Sequence, residues 1–188
     1  MTPIKINGQS LEIPSAWDEV TTMQFIALSD SDDKPNHIVR IISALTGIEY
    51  ETLAATKCEI AESVLQAVAF IGSPPDFSKQ IAPDKINVGG KLLSVPKDIT
   101  SETFGQKTLV QQKINECVEA KKELSSIIPF TIAQYFQPAY DDAKYNDKRA
   151  EQFEAITRHC KIVEAFPVAN FFLSKYISSL NERANNSL

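Results

Sequence analysis

Ile4-Lys5-Ile6-Asn7-Gly8-Gln9-Ser10-Leu11-Glu12-Ile13-Pro14 and Ile86-Asn87-Val88-Gly89-Gly90-Lys91-Leu92-Leu93-Ser94-Val95-Pro96 decide the fold class. In each stretch apolar residues alternate with polar ones on both sides of a two-residue turn signal. Asn-Gly is the strongest such signal, because a type I′ turn needs positive φ at both central positions, and Gly-Gly meets the same need. Pairing across the first turn sets Ile4 opposite Leu11, so Ile4, Ile6, Leu11 and Ile13 share one face. Ile86, Val88, Leu93 and Val95 do the same in the second hairpin. A proline follows each, where a residue that cannot donate to the ladder ends a strand. The two stretches overlay without a gap at a spacing of 82 positions. After a three-residue offset, Val20-Thr21-Thr22 and Phe25 match Ile99-Thr100-Ser101 and Phe104. An internal duplication gives such a pattern, and so does any pair of hairpins that each lead into a capped helix.

Helical signals fill the rest of the chain. Thr21 with Gln24 makes a capping box, flanked by Val20 and Phe25 as a hydrophobic staple, and predicts a short helix to about Leu28. Asn36 is placed to cap a helix carrying Ile38, Ile41, Ile42 and Leu45, which Gly47 ends. A turn or two of helix is expected near Tyr50 to Ala55. Another helix is expected from about Glu59 to Ile71, with Ile60, Val64, Val68 and Ile71 on one side and Gly72 as its stop. Residues 73–84 contain Pro74, Pro75 and Pro83 and read as a linker between a first half, 1–72, and a second half, 85–188. The second half should carry a long helix from about Glu102 to Ser125, ~35 Å in length. Its apolar stripe is thin, with Val110, Ile114, Cys117 and Leu124, and the remainder is Gln, Asn, Lys and Glu. Such a helix packs on one side only, or against a partner. Pro129 opens a short helix over Phe130 to Phe136 that Pro138 ends, and Tyr140 to Tyr145 reads as a loop. A C-terminal helical hairpin follows. Asn146 caps an arm with Phe153, Ile156, Cys160 and Val163 on one face, and Pro167 opens an arm with Val168, Phe171, Phe172, Tyr176 and Leu180. The expected class is α+β, predominantly helical, with two small β-hairpins each leading into helices.

Composition bounds the function. A chain of 188 residues removes ~70% of its unfolded surface from water. Apolar residues at 43% and charged residues at 23% are those of a globular protein. The net charge is −5, with Lys and Arg scattered, which lacks the basic footprint of a nucleic-acid binder. Cys58, Cys117 and Cys160 are odd in number and far apart, so reduced cytosolic thiols are expected rather than a disulfide framework. No apolar run approaches the ~20 residues of a membrane span, and the N-terminus lacks a signal-peptide pattern.

Each candidate chemistry has a plainer reading. His159 and Cys160 would point ~100° apart on a helix, too far for a nucleophile–base bond, and His37 opens a helix. Asp30-Ser31-Asp32-Asp33 could begin a calcium loop, but the sixth and twelfth positions, which need Gly and Glu, hold Pro35 and Ile41. Asp141-Asp142 reads as a solvated loop. Gly89-Gly90 precedes a strand and not the helix of a phosphate cradle. Glu59 and Glu62 fall on an exposed helix face, and Phe171 and Phe172 read as core. The expectation is no catalytic, cofactor-binding or metal residue, no cofactor, no small-molecule substrate, no nucleic acid and no membrane. The protein is expected not to be an enzyme and to work by binding other proteins.

The opening stretch, Lys5-Ile6-Asn7-Gly8 through Ile13-Pro14 and on through Ser15-Ala16-Trp17-Asp18-Glu19-Val20-Thr21-Thr22-Met23-Gln24-Phe25, resembles the start of poorly characterised proteins of tailed bacteriophages and prophages, notably those of Bacteroidota. Phe166-Pro167-Val168-Ala169-Asn170-Phe171-Phe172-Leu173 is similar to the same group. The resemblance implies a virion component or an assembly factor, and some members resemble tail-assembly chaperones. The partners implied are phage structural proteins or copies of the chain itself, in the host cytoplasm during assembly or in the virion. The alternative within the resemblance is a virion-resident head, neck or tail subunit.

Overall fold

A computed structural model of the protein describes residues 1–6, 9–30, 36–55, 62–99 and 102–185. The first hairpin joins β1 (Thr2–Ile6) to β2 (Gln9–Ile13) in the expected register, with Ile4 opposite Leu11. Ile4 and Ile13 are buried and Leu11 is half-buried. The Asn7-Gly8 turn and the Ile6 side chain lie outside the described residues. In the second hairpin, β3 (Lys85–Val88) pairs with β4 (Lys91–Ser94), with Ile86 opposite Leu93. Ile86, Val88 and Leu93 are buried, and Val95, just past the strand, is half-buried. Gly89 and Gly90 have φ of 55° and 84°, the left-handed values that a type I′ turn demands. The outer edge of β3 is closed at Asn87, whose N–H donates to Glu164 Oε2 at 3.1 Å, a cover of the kind that keeps edge strands from pairing elsewhere.

The chain forms two compact units, Met1–Asp76 with Lys161–Val163, and Phe77–Cys160 with Glu164–Leu188. The Pro-rich stretch carries local structure of its own. Phe77–Lys79 is a 3-10 turn, and Phe77 is buried and stacks on Phe166 with ring centroids 4.7 Å apart.

In the first unit, α1 (Thr22–Ser29) starts with the expected capping box: Gln24 N donates to Thr21 Oγ1 at 3.3 Å, and Thr21 N to Gln24 Oε1 at 2.9 Å. The Gln24 amide also donates to Leu45 O at 2.7 Å, fixing α1 on α2 (His37–Thr46). Trp17 meets Phe25 and Phe70 edge-on and donates its indole N–H to Phe70 O. Asn36 departs from expectation. Its backbone is left-handed, with φ 59°, and its side chain donates to Tyr50 Oη at 2.7 Å in place of capping α2. Gly47, with φ 74°, ends the helix as expected. α3 (Tyr50–Ala55) and α4 (Glu62–Val68) follow, and α4 runs into a 3-10 turn at Ala69–Gly72. Glu59 and Ile60 lie outside the described residues.

The second unit corrects several boundaries. α5 spans Phe104–Glu119 and not 102–125. Its N-cap is Thr103, in a capping box with Gln106. Thr103 and Gln106 follow Thr21 and Gln24 by the same 82 positions that separate the hairpins. The three-residue offset is therefore not needed, and the matched passage runs from hairpin to helix cap without a gap. α5 stops because Lys121 adopts φ 51°, with Lys121 N donating to Val118 O and Lys122 N to Cys117 O. This is a Schellman closure with lysine where glycine is usual. Leu124 falls in the 3-10 turn Leu124–Ile127 beyond it.

Pro138 does not end α6, which spans Ile128–Asp141 with the proline inside. A proline at that position deprives the carbonyl four residues earlier of its partner. That carbonyl is Gln134 O, and Gln106 Nε2 donates to it at 2.7 Å. The buried Gln106 amide thus substitutes for the missing N–H. Gln106→Ala should destabilise the protein by about 1–3 kcal/mol by leaving a buried carbonyl unmade. Adding Pro138→Ala, which restores a backbone donor, should recover part of that loss. Urea unfolding of the two single variants and the double variant checks this, and strictly additive effects would contradict it.

Asp142, at φ 51°, terminates α6. α7 (Asp147–Thr157) is capped by Asn146, whose Oδ1 accepts from Arg149 N at 3.0 Å. It ends before Cys160, which lies in the following turn, while Val163 belongs to α8 (Ile162–Asn185). Pro167 is inside α8 and not at its first position. Val110, Ile114, Cys117, Ile127, Leu173 and Tyr176 form one core cluster of this unit. The architecture is α+β and predominantly helical. Among the described residues no helix is long and apolar enough to cross a membrane.

Candidate functional site

α5 divides its surface sharply. Gln106, Val110, Ile114 and Cys117 recur at three- and four-residue spacing and are buried. The opposite side, from Phe104 through Thr108 and Asn115 to Glu119, faces water. Phe104 is 85% exposed and Val118 is 65% exposed. Among the described residues of this unit, Phe104 and Ile81, 90% exposed, are the large apolar side chains most open to water.

A groove of about 350 Å³ adjoins this surface. Leu109 and Phe130 contribute apolar floor, and both are half-buried. Gln112, Lys113 and Glu116 on α5 line one side, and Asp147, Lys148, Glu151 and Glu154 on α7 the other. The charges differ in their engagement. Gln112 and then Lys113 hydrogen-bond to Glu116 and hold its carboxyl below the usual range, with Lys113 Nζ at 3.1 Å. Glu154 pairs with Arg158 at 2.8 Å. Asp147 and Glu151 make no ion pair among the described residues.

A second cluster joins the approach to α5 with α6 and α8. Glu102 Oε2 accepts from Tyr135 Oη at 2.8 Å and from Tyr176 Oη at 2.5 Å, and the two hydroxyls lie 2.6 Å apart. Burial, then the bonds to Tyr176 and Glu102, push the Tyr135 phenol up. Burial followed by the Glu102 bond does the same to Tyr176. Both phenols stay protonated at ordinary pH, so they donate to Glu102 and cannot serve as bases. The cluster is a clasp. Nearby, Tyr145 Oη donates to Gln134 Oε1, and Asn146 N donates to Gln137 Oε1.

The residues singled out from sequence are dispersed. His37 is an exposed first residue of α2, and His159 is exposed beside buried Cys160 in the turn after α7. Asp30 is the C-cap of α1, and Asp32 and Asp33 lie outside the described residues. Asp141 accepts from Gln137 and Arg149, which hold its carboxyl low. Phe172 is buried and Phe171 half-buried. Among the described residues no group of His, Cys, Asp and Glu is arranged to hold a metal ion. The sequence does not mark Phe104 as a surface ring when it is matched to Phe25, the staple residue of the first helix cap. The Thr103-x-x-Gln106 box was the available signal. The Glu102 clasp joins residues 33 and 74 positions apart and left no local trace.

The thiols supply a test of this packing. Burial, and then Glu164, push the Cys160 thiol up to about 12, and Cys117 is buried beside Ser126 Oγ at 3.3 Å. A buried thiol is a poor nucleophile because the thiolate is the reactive form. Native protein at pH 8 should therefore show at most one fast-reacting thiol, with all three appearing after denaturation. Two fast groups would contradict the packing. No protein-family model, curated protein or solved structure matches the chain.

Proposed function

We propose that this chain is a non-enzymatic structural or assembly protein of a tailed bacteriophage, binding other phage structural proteins in the manner of a tail-assembly chaperone. The observation that carries the reading is the outward side of α5, where Phe104 stands 85% exposed beside a groove with an apolar floor. An exposed ring beside a recess with an apolar floor and a charged rim supports docking of another protein. The likeness of Lys5 to Phe25 and of Phe166 to Leu173 to tailed-phage proteins supplies the setting. The chain's acidic balance, −5, suits contact with proteins better than contact with phosphate backbones.

Affinity capture of the tagged full chain from infected cells, with the bound proteins identified by mass spectrometry, tests this. A phage head or tail protein should be recovered with it. Recovery of neither a phage protein nor untagged copies of the chain would overturn the reading. Mass spectrometry of purified particles separates a factor that leaves from a subunit that stays.

A further inference from the structure

We propose that two copies of this chain associate through α5, the Phe104 ring of each entering the α5–α7 groove of the other, with Lys107 of each facing Asp147 and Glu151 across the contact. The inference deepens the protein-binding reading above and rests on it. The knob and the recess are both on this chain. Phe104 projects from the first position of α5 with its ring 85% in water. The groove, about 350 Å³, has room for a phenyl ring, since a dry cavity of ~150 Å³ holds benzene. Its half-buried Phe130 packs on the core and carries the Lys113 ammonium 5.9 Å over its ring, which leaves a ring edge of the kind that pairs with an incoming ring.

The charges fit the same pairing. Lys107 lies nearly one helical turn beyond Phe104, is exposed, and makes no ion pair among the described residues. The groove wall on α7 presents Asp147 and Glu151, which make no ion pair among the described residues, with Lys148 between them. Lys113 lines the opposite side, so the four carboxylates of the lining outnumber its two lysines. The ring would thus bring its own cation to a rim with an excess of carboxylates. At ~100° per residue, Thr108 and Gln112 lie between the Phe104 side of α5 and the Leu109–Glu116 side that lines the groove. Knob and recess therefore adjoin on one surface, as a two-fold, self-complementary contact requires. A different partner would have to match both features separately. One helix face and one groove fall short of the ~800 Å² per partner of a standard stable interface, so the dimer is reversible and depends on concentration.

Sedimentation velocity of the reduced full chain over a wide concentration range tests this. The protein should pass from monomer to dimer as concentration rises. Phe104→Ala should weaken the dimer at least about tenfold. Lys107→Glu and Glu151→Lys should each weaken it, and the two together should restore it to within about threefold, because the swapped charges attract again. All three positions are exposed, and unchanged circular dichroism checks that the variants fold. A chain that stays monomeric throughout, a dimer indifferent to Phe104→Ala, or a charge swap that restores nothing would overturn the proposal. A monomeric chain that still captures a phage structural protein would sink self-association alone. A chain that captures nothing would sink the wider reading.

Discussion

Phe172→Ala is expected to destabilise the protein by about 3–5 kcal/mol, the range for deleting a fully buried aromatic ring. Phe172 is fully buried in α8. Its ring lies flat on Tyr135, with centroids 3.8 Å apart and planes 6° apart, and meets Phe136 and Phe171 edge-on. Removing it opens a cavity and also loosens Tyr135, which the clasp around Glu102 needs in place. Chemical denaturation followed by circular dichroism measures the loss. A change below about 1 kcal/mol would mean that the site collapses freely and that the aromatic stack is not central to the packing.

Gly89→Ala should cost about 3 kcal/mol, and its neighbour provides the control. A left-handed backbone costs an L-residue roughly 1–2 kcal/mol, and overpacking adds ~1–3 kcal/mol. At Gly89 both terms apply. φ is 55°, and an added Cβ would stand 2.7 Å from Ile156 Cγ2 and 3.0 Å from Tyr140 Oη. Tyr140 has little freedom to yield, since its ring packs on Phe153 and lies under the Lys91 ammonium, which also donates to Tyr140 O. At Gly90 φ is 84°, but nothing lies within 4 Å of the added atom. Gly90→Ala should therefore show the backbone term alone. Equal losses at the two positions would show that the turn does not press on α6 and α7.

The parts legible in the sequence are those encoded locally. The register of both hairpins follows from alternation about a two-residue turn, and the α1 cap from Thr21 and Gln24 standing three apart. Two of the departures share a cause, which is that a distant side chain decides the outcome. Pro138 reads as a stop, yet α6 passes through it because Gln106, on another helix, bonds the stranded Gln134 carbonyl. Asn36 reads as a cap, yet its amide turns to Tyr50. The α5 stop is a different case, because Lys121 is not a residue type that marks a left-handed cap and the sequence therefore reads as helix beyond it. The candidate surface was legible only in outline. The thin stripe of α5 foretold one uncovered side, but matching Phe104 to Phe25 of the first cap gave it the role of a staple and hid its place on that side. The groove is assembled from three helices, so no single stretch announces it.

The central claim is that the chain serves the building of a phage particle by binding other proteins. If the proposal holds, deleting the gene from a phage or prophage that carries it, then counting particles in the lysate by electron microscopy alongside genome copies, tests it most directly. The account predicts that genome replication continues while complete particles are lost, with heads or tails unassembled or malformed, and that the chain supplied in trans restores them. Normal infectious particles in normal number would contradict it.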